Sequence, residues 1–82
     1  MKIERIILVF KKTEETVFKE INADDLDFSL LETLFVPFAD DPNIYRPYEI
    51  GQTQYNELIK YKSELISYPI TEFDLFIEAV TV

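Results

Sequence analysis

Eighty-two residues with 16 acids, 8 bases and a net charge of -8 make one small acidic domain, spanning 1–82, of a size that buries roughly 60% of its unfolded surface. Hydrophobic residues at 48% and aromatics at 15% make it too apolar for a disordered acidic tail. Its charge repels nucleic-acid phosphates and anionic membranes while speeding encounter with basic proteins. The chain has no histidine and no cysteine, which excludes Ser-His-Asp and Cys-His catalysis, disulfides and thiolate metal sites. A small domain without disulfides is expected in the cytoplasm.

The opening MKIERIILVF predicts a buried strand over 2–10, because its apolar run is too short for a membrane span and lacks a cleavage site. A polar break at 11–15 and a second β-rich run at 16–21 make a hairpin. Its turn holds neither Asn-Gly nor Asp-Gly, so a loop longer than two residues is expected. Asp24, Asp25 and Asp27 then form a capping cluster ahead of Phe28, Leu30, Leu31, Leu34 and Phe35 at helical spacing. A helix over 27–35 follows, with at least one of these aspartates capping its N-terminus.

Two prolines and the Asp40-Asp41-Pro42 turn make 36–43 a loop, with Asp40 and Asp41 expected at the surface. Pro47 confines 44–50 to an edge strand or an extended segment, since a central strand cannot lose an amide donor. A second helix is expected over 53–65, and the apolar 75–82 closes the sheet beside the first strand. The fold is therefore α+β: an antiparallel four-stranded sheet with two helices packed on one face, in the order β-β-α-β-α-β.

Between Glu20 and Glu49 the chain places Glu20, Asp24, Asp25, Asp27, Glu32, Asp40, Asp41 and Glu49 against a single base, Arg46. Paired-carboxylate hydrolysis needs a deep cleft that so small a domain can hardly enclose. An EF-hand needs a glycine at the sixth position of its loop, yet no glycine precedes Gly51, and a single glycine builds no phosphate loop. No enzyme activity, cofactor or metal is expected. Phe10, Phe18, Phe28, Phe35 and Phe76 read as core residues. Tyr45, Tyr48 and Tyr68 each lie near a proline or turn signal, where a tyrosine is either half buried on the sheet, the commoner case, or an interface anchor. The expected partner-binding set is Asp24, Asp25, Asp27, Asp40, Asp41, Tyr45, Tyr48, Glu49 and Tyr68.

The hairpin over 8–21, the segment Leu30-Leu31-Glu32-Thr33-Leu34-Phe35, the turn Asp40-Asp41-Pro42 followed by residues 48–50, and the closing Phe73-Asp74-Leu75-Phe76-Ile77-Glu78-Ala79 carry a resemblance. Together they resemble a family of short acidic bacterial domains, some of which look like immunity proteins of polymorphic or contact-dependent growth inhibition toxin systems. Val36 stands where that family usually has a glycine after the first helix. The resemblance implies an inhibitor that neutralises a cognate basic, nuclease-like toxin domain by filling its phosphate-binding cleft with carboxylates and aromatics. The alternative is an adaptor or regulatory module that pairs through a sheet edge, a homodimer among its forms.

Overall fold

The computed structural model describes residues 2–81. The first apolar run forms β1 (Ile3–Lys11), and the five-residue turn 12–16 returns the chain as β2 (Val17–Asn22). A β-bulge between Val9 and Phe10 shifts the pairing register near that turn. Helix α1 (Phe28–Leu34) lies within the expected bounds. Strand β3 is reduced to Tyr48–Glu49, α2 spans Gln52–Leu58, a 3-10 turn spans Ser63–Ser67, and β4 runs Phe73–Thr81. Val82, at the end of the closing strand expected over 75–82, lies outside the described residues.

The sheet order is β2-β1-β4-β3 and every pairing is antiparallel. The closing strand lies beside the first, and the Pro47 segment sits at an edge. Only Tyr48–Glu49 of the 44–50 segment pair as a strand: Ile44 at its start takes a positive φ of 54°, and Pro47 has no amide to donate. The second helix also stops short of the expected 65. The Tyr61 and Lys62 amides both return to the Leu58 carbonyl, at 3.0 and 2.8 Å. Lys62 then leaves helical geometry (φ -126°, ψ 76°), and the following 3-10 turn places Leu65 in the core.

Pairing register sorts the strands into two faces, since successive side chains point to opposite sides. One row runs Ile21, Ile7, Ile77, Tyr48 across β2, β1, β4 and β3, with Val9 and Leu75 in the next row. All six are buried, packed with Leu31 and Phe35 from α1 and its C-cap, Tyr55 and Leu58 from α2, and Leu65. Both helices therefore cover the same face. The Tyr55 hydroxyl donates to the Leu65 carbonyl at 2.8 Å, which satisfies the one polar group that α2 buries there.

The opposite face carries Ile6, Leu8 and Phe10 from β1 and Phe76 and Val80 from β4, all half-buried and none enclosed. Phe10 and Phe76 meet edge-to-face there at 5.9 Å, so they are not the core residues expected from sequence. Phe18 and Phe28 are likewise exposed. Phe18, beside the bulge, packs with Tyr68 and Phe73 at the sheet margin. Phe28, the first residue of α1, lies 6.0 Å from the Arg5 guanidinium. Of the five phenylalanines expected inside, Phe35 alone is buried.

Candidate protein-binding site

The loop between α1 and β3 is organised around one carboxylate. Asp41 accepts the Tyr45 amide at 3.0 Å, the Arg46 amide at 3.1 Å and the Tyr48 hydroxyl at 2.8 Å. The Tyr48 oxygen in turn accepts the Phe38 amide at 3.0 Å, and the Phe38 ring stacks on Tyr48 with centroids 4.8 Å apart. Asp41 is only 6% exposed and Tyr48 only 7%, which corrects the expectation that both face a partner. A turn that bends back after Pro42 brings two amides onto the aspartate, so its charge serves the loop and not steering. Burial pushes the Asp41 carboxyl up, but hydrogen bonds from Tyr45, Arg46 and Tyr48 with the Arg46 charge outweigh it and hold the group below its ordinary value. Burial, joined by the Asp41 contact, raises the Tyr48 phenol.

Ile44 completes this loop in a left-handed conformation that is rare for a β-branched residue and costs about 1–3 kcal/mol. Its side chain is fully buried, and that burial holds the strained backbone in place. The Arg5 guanidinium donates to the carbonyls of Ile44 and Asn43, the latter at 3.2 Å. Burial lowers the Arg5 pKa, while Tyr45, Asp24 and Asp41 raise it. Arg5 is thus a tether that the sequence reading missed. Its signal was visible: a lone arginine on the inward register of an apolar strand needs a nearby acceptor.

Asp24 belongs to the same end of the sheet. Its carboxylate accepts the Arg5 amide at 2.7 Å and the Asn22 side-chain amide at 3.3 Å. The Arg5 hydrogen bond is the main cause holding the Asp24 carboxyl below its ordinary value. Asp24 therefore terminates strand pairing and does not cap α1. Asp27 occupies the N-cap position without a side-chain cap hydrogen bond, which corrects the capping expectation. Asp25 binds Lys62 at 3.1 Å, where the lysine side chain is only 12% exposed. Asp25, Asp27, Ser29, Thr33 and Tyr61 line a concavity of about 420 Å³ beside α1. Its polar groups are partly engaged, Asp25 by Lys62 and the Thr33 hydroxyl by the Ser29 carbonyl at 2.9 Å.

The remaining expected residues divide. Asp40 is exposed and pairs with Arg46 at 3.0 Å, whose guanidinium lies 5.0 Å over the Phe38 ring. Asp40, Arg46 and Phe38 thus form one surface patch, with Tyr45, 44% exposed, next to Arg46 in the chain. Glu49 is exposed on the far side of β3, paired with Phe76. Tyr68 lies in the Phe18–Phe73 cluster, near the Lys11–Phe73 end of the sheet. Tyr45 is bonded to Ala79 near the Arg5–Ala79 end, about 20 Å away at ~3.3 Å per strand residue. The tyrosines expected to act together therefore do not share a surface.

Among the described residues, no three histidine, cysteine, aspartate or glutamate side chains converge as a cation site, and no helix is long and apolar enough to cross a membrane. No curated protein and no solved structure matches the chain. Residues 4–78 match the model of a domain of unknown function, DUF7683, over the hairpin, both helices and most of β4, and the chain belongs to that family.

Proposed function

We propose that the domain is an immunity-type inhibitor, which binds a basic, nuclease-like toxin domain in the bacterial cytoplasm and neutralises it without performing chemistry. The observation that carries this reading is uncompensated surface charge. Glu20, Asp27, Glu32 and Glu49 are exposed and make no ion pair among the described residues, in a chain whose net charge is -8. Such self-repulsion disfavours the compact state, and a basic partner relieves it. The likeness of the strand-and-acid pattern to immunity proteins points the same way.

Edge pairing has less support. The free edge strand β2 carries a bulge beside its turn and the charged pair Lys19-Glu20, devices that discourage strand addition. The test is co-purification with the product of the neighbouring gene, followed by growth rescue when the two are co-expressed. Rescue together with a complex that weakens as salt rises is expected. A neighbour that is neither basic nor toxic, or toxicity unchanged by this protein, would overturn the inhibitor reading.

A further inference from the structure

We infer that the uncovered face of the sheet is the docking surface, and that its occupant is an amphipathic helix of the partner bearing an apolar stripe flanked by lysine or arginine. The inference deepens the proposed binding of a basic protein and rests on it. A solvated face of an antiparallel sheet is normally marked by polar outward positions. Here the outward positions of the two central strands include Ile6, Leu8, Phe10, Phe76 and Val80, all half-buried, with Glu4, Asp74 and Glu78 among them.

The charges on that face have a definite layout. The central row reads Glu20, Leu8, Phe76, Glu49 across β2, β1, β4 and β3, so an apolar middle is closed by a carboxylate at each end. Glu78 lies opposite Ile6 in the adjacent row. Glu4 and Asp74, farther out, pair with Lys2 and Lys12 at 3.8 and 2.8 Å. Glu20, Glu49 and Glu78 make no ion pair among the described residues. Three strand intervals of ~4.8 Å separate the backbones at Glu20 and Glu49 by about 14 Å. A helix with its side chains is ~10–12 Å across. A helix laid along β1 and β4 therefore rests its apolar stripe on Leu8 and Phe76 and brings basic side chains on both flanks to Glu20 and Glu49.

The same layout disfavours the other occupants. A second copy stacked face to face with its strands aligned carries glutamates at both ends of its own central row, so acids meet acids whichever way the strands run, and like-charge juxtaposition opposes the contact. Nucleic acid is repelled by the same carboxylates.

The test is an NMR titration of the isotope-labelled domain with a synthetic helical peptide whose leucine stripe is flanked by lysines, beside a control peptide with glutamates in those flanks. The expected result is shifts centred on the amides of Leu8, Glu20, Glu49 and Phe76, with no binding of the control. Leu8→Ser with Phe76→Ser should abolish binding. Because that pair could perturb folding, Glu20→Gln with Glu49→Gln provides an independent variant on exposed positions, expected to weaken binding several-fold with an unchanged melting curve. Shifts centred on the 36–47 loop would overturn the inference, as would equal binding of the control peptide. Wild-type sedimentation as a dimer that Leu8→Ser disperses would assign the face to a second copy. Failure of growth rescue while the peptide still maps to the sheet would remove the inhibitor role and leave the docking surface. Rescue that survives Leu8→Ser with Phe76→Ser would remove the surface and leave the role.

Discussion

The two faces of the sheet are built from similar side chains and meet different fates. Ile7, Val9, Ile21, Leu75 and Ile77 lie under the helices and are buried, whereas Ile6, Leu8, Phe10, Phe76 and Val80 face outward and remain half-exposed. Hydrophobicity does not distinguish the sets, since the exposed one contains two of the largest side chains. Their neighbours do. The covered face adds Tyr48, whose hydroxyl is satisfied by Asp41, while the open face adds the exposed Glu20 and Glu49 and the half-buried Glu78, without ion pairs among the described residues. Carboxylates cannot enter a core unpaired, so they decide which face receives the helices and keep the other available.

The largest expected effect contrasts the faces directly. Ile77→Ala or Leu58→Ala should cost about 2–5 kcal/mol through lost burial and a residual cavity, which for a domain of this size can abolish folding. Leu8→Ala on the open face should cost about 1 kcal/mol. Urea denaturation measures both, and comparable losses would mean that the open face is covered in solution.

A second contrast separates two adjacent aspartates. Asp41→Asn should lower the thermal midpoint clearly, because an amide cannot satisfy the Tyr45 and Arg46 amides and the Tyr48 hydroxyl as a carboxylate does. Asp40→Asn should change little, since its exposed pair with Arg46 is weak. Thermal melts of the two single variants decide this. The pH dependence follows in sign. The Asp41 carboxyl is lowered in the folded state, so its contribution is present above the unfolded carboxylate value of about 3.9 and is lost as pH falls through the folded value. The stability gap between wild type and Asp41→Asn should be constant near neutrality and close below about pH 4.

These contrasts mark how far the sequence could be read. The strand order, the edge placement of the Pro47 segment and both helices follow from periodicity and from what proline cannot do. Asp41 was misplaced because a turn aspartate is usually solvated, and only the chain's return past Pro42 shows two amides converging on it. The early end of α2 was hidden because Leu65 continues the helical apolar spacing, although it enters the core from a 3-10 turn instead. The phenylalanines fall at periodic positions that read as core-facing, but periodicity does not say which face of a strand the helices cover. The parity that puts Phe10 and Phe76 opposite Ile7 and Ile77 was present in the alternation, but strands apolar on both faces read equally well as the interior of a larger sheet. For Arg5 and Gln54 the sequence shows at most a need for an acceptor, since the main-chain carbonyls to which they donate belong to distant segments. Gln54 accepts the Gly51 amide at 3.0 Å and donates to the Leu34 carbonyl at 3.2 Å, joining the start of α2 to the end of α1.

A smaller effect is expected at Tyr45. Tyr45→Ala should leave stability within about 0.5 kcal/mol, as for an exposed side chain, and should leave binding of the lysine-flanked peptide unchanged. Loss of that binding, measured by fluorescence titration, would move the interface from the sheet to the loop.

The most direct measurement is the association rate of the lysine-flanked peptide with wild type, Glu20→Gln/Glu49→Gln and Asp25→Asn/Asp40→Asn, by stopped flow at low and physiological salt. Exposed charges act over about 30 Å at ~0.01 M ionic strength but only ~8 Å at physiological salt, so the wild-type rate should fall as salt rises. The Glu20/Glu49 variant should associate more slowly and respond less to salt, while the Asp25/Asp40 variant, whose acids are already paired to Lys62 and Arg46, should behave as wild type. Slowing confined to the Asp25/Asp40 variant, or a rate indifferent to salt in all three, would contradict docking on the open face.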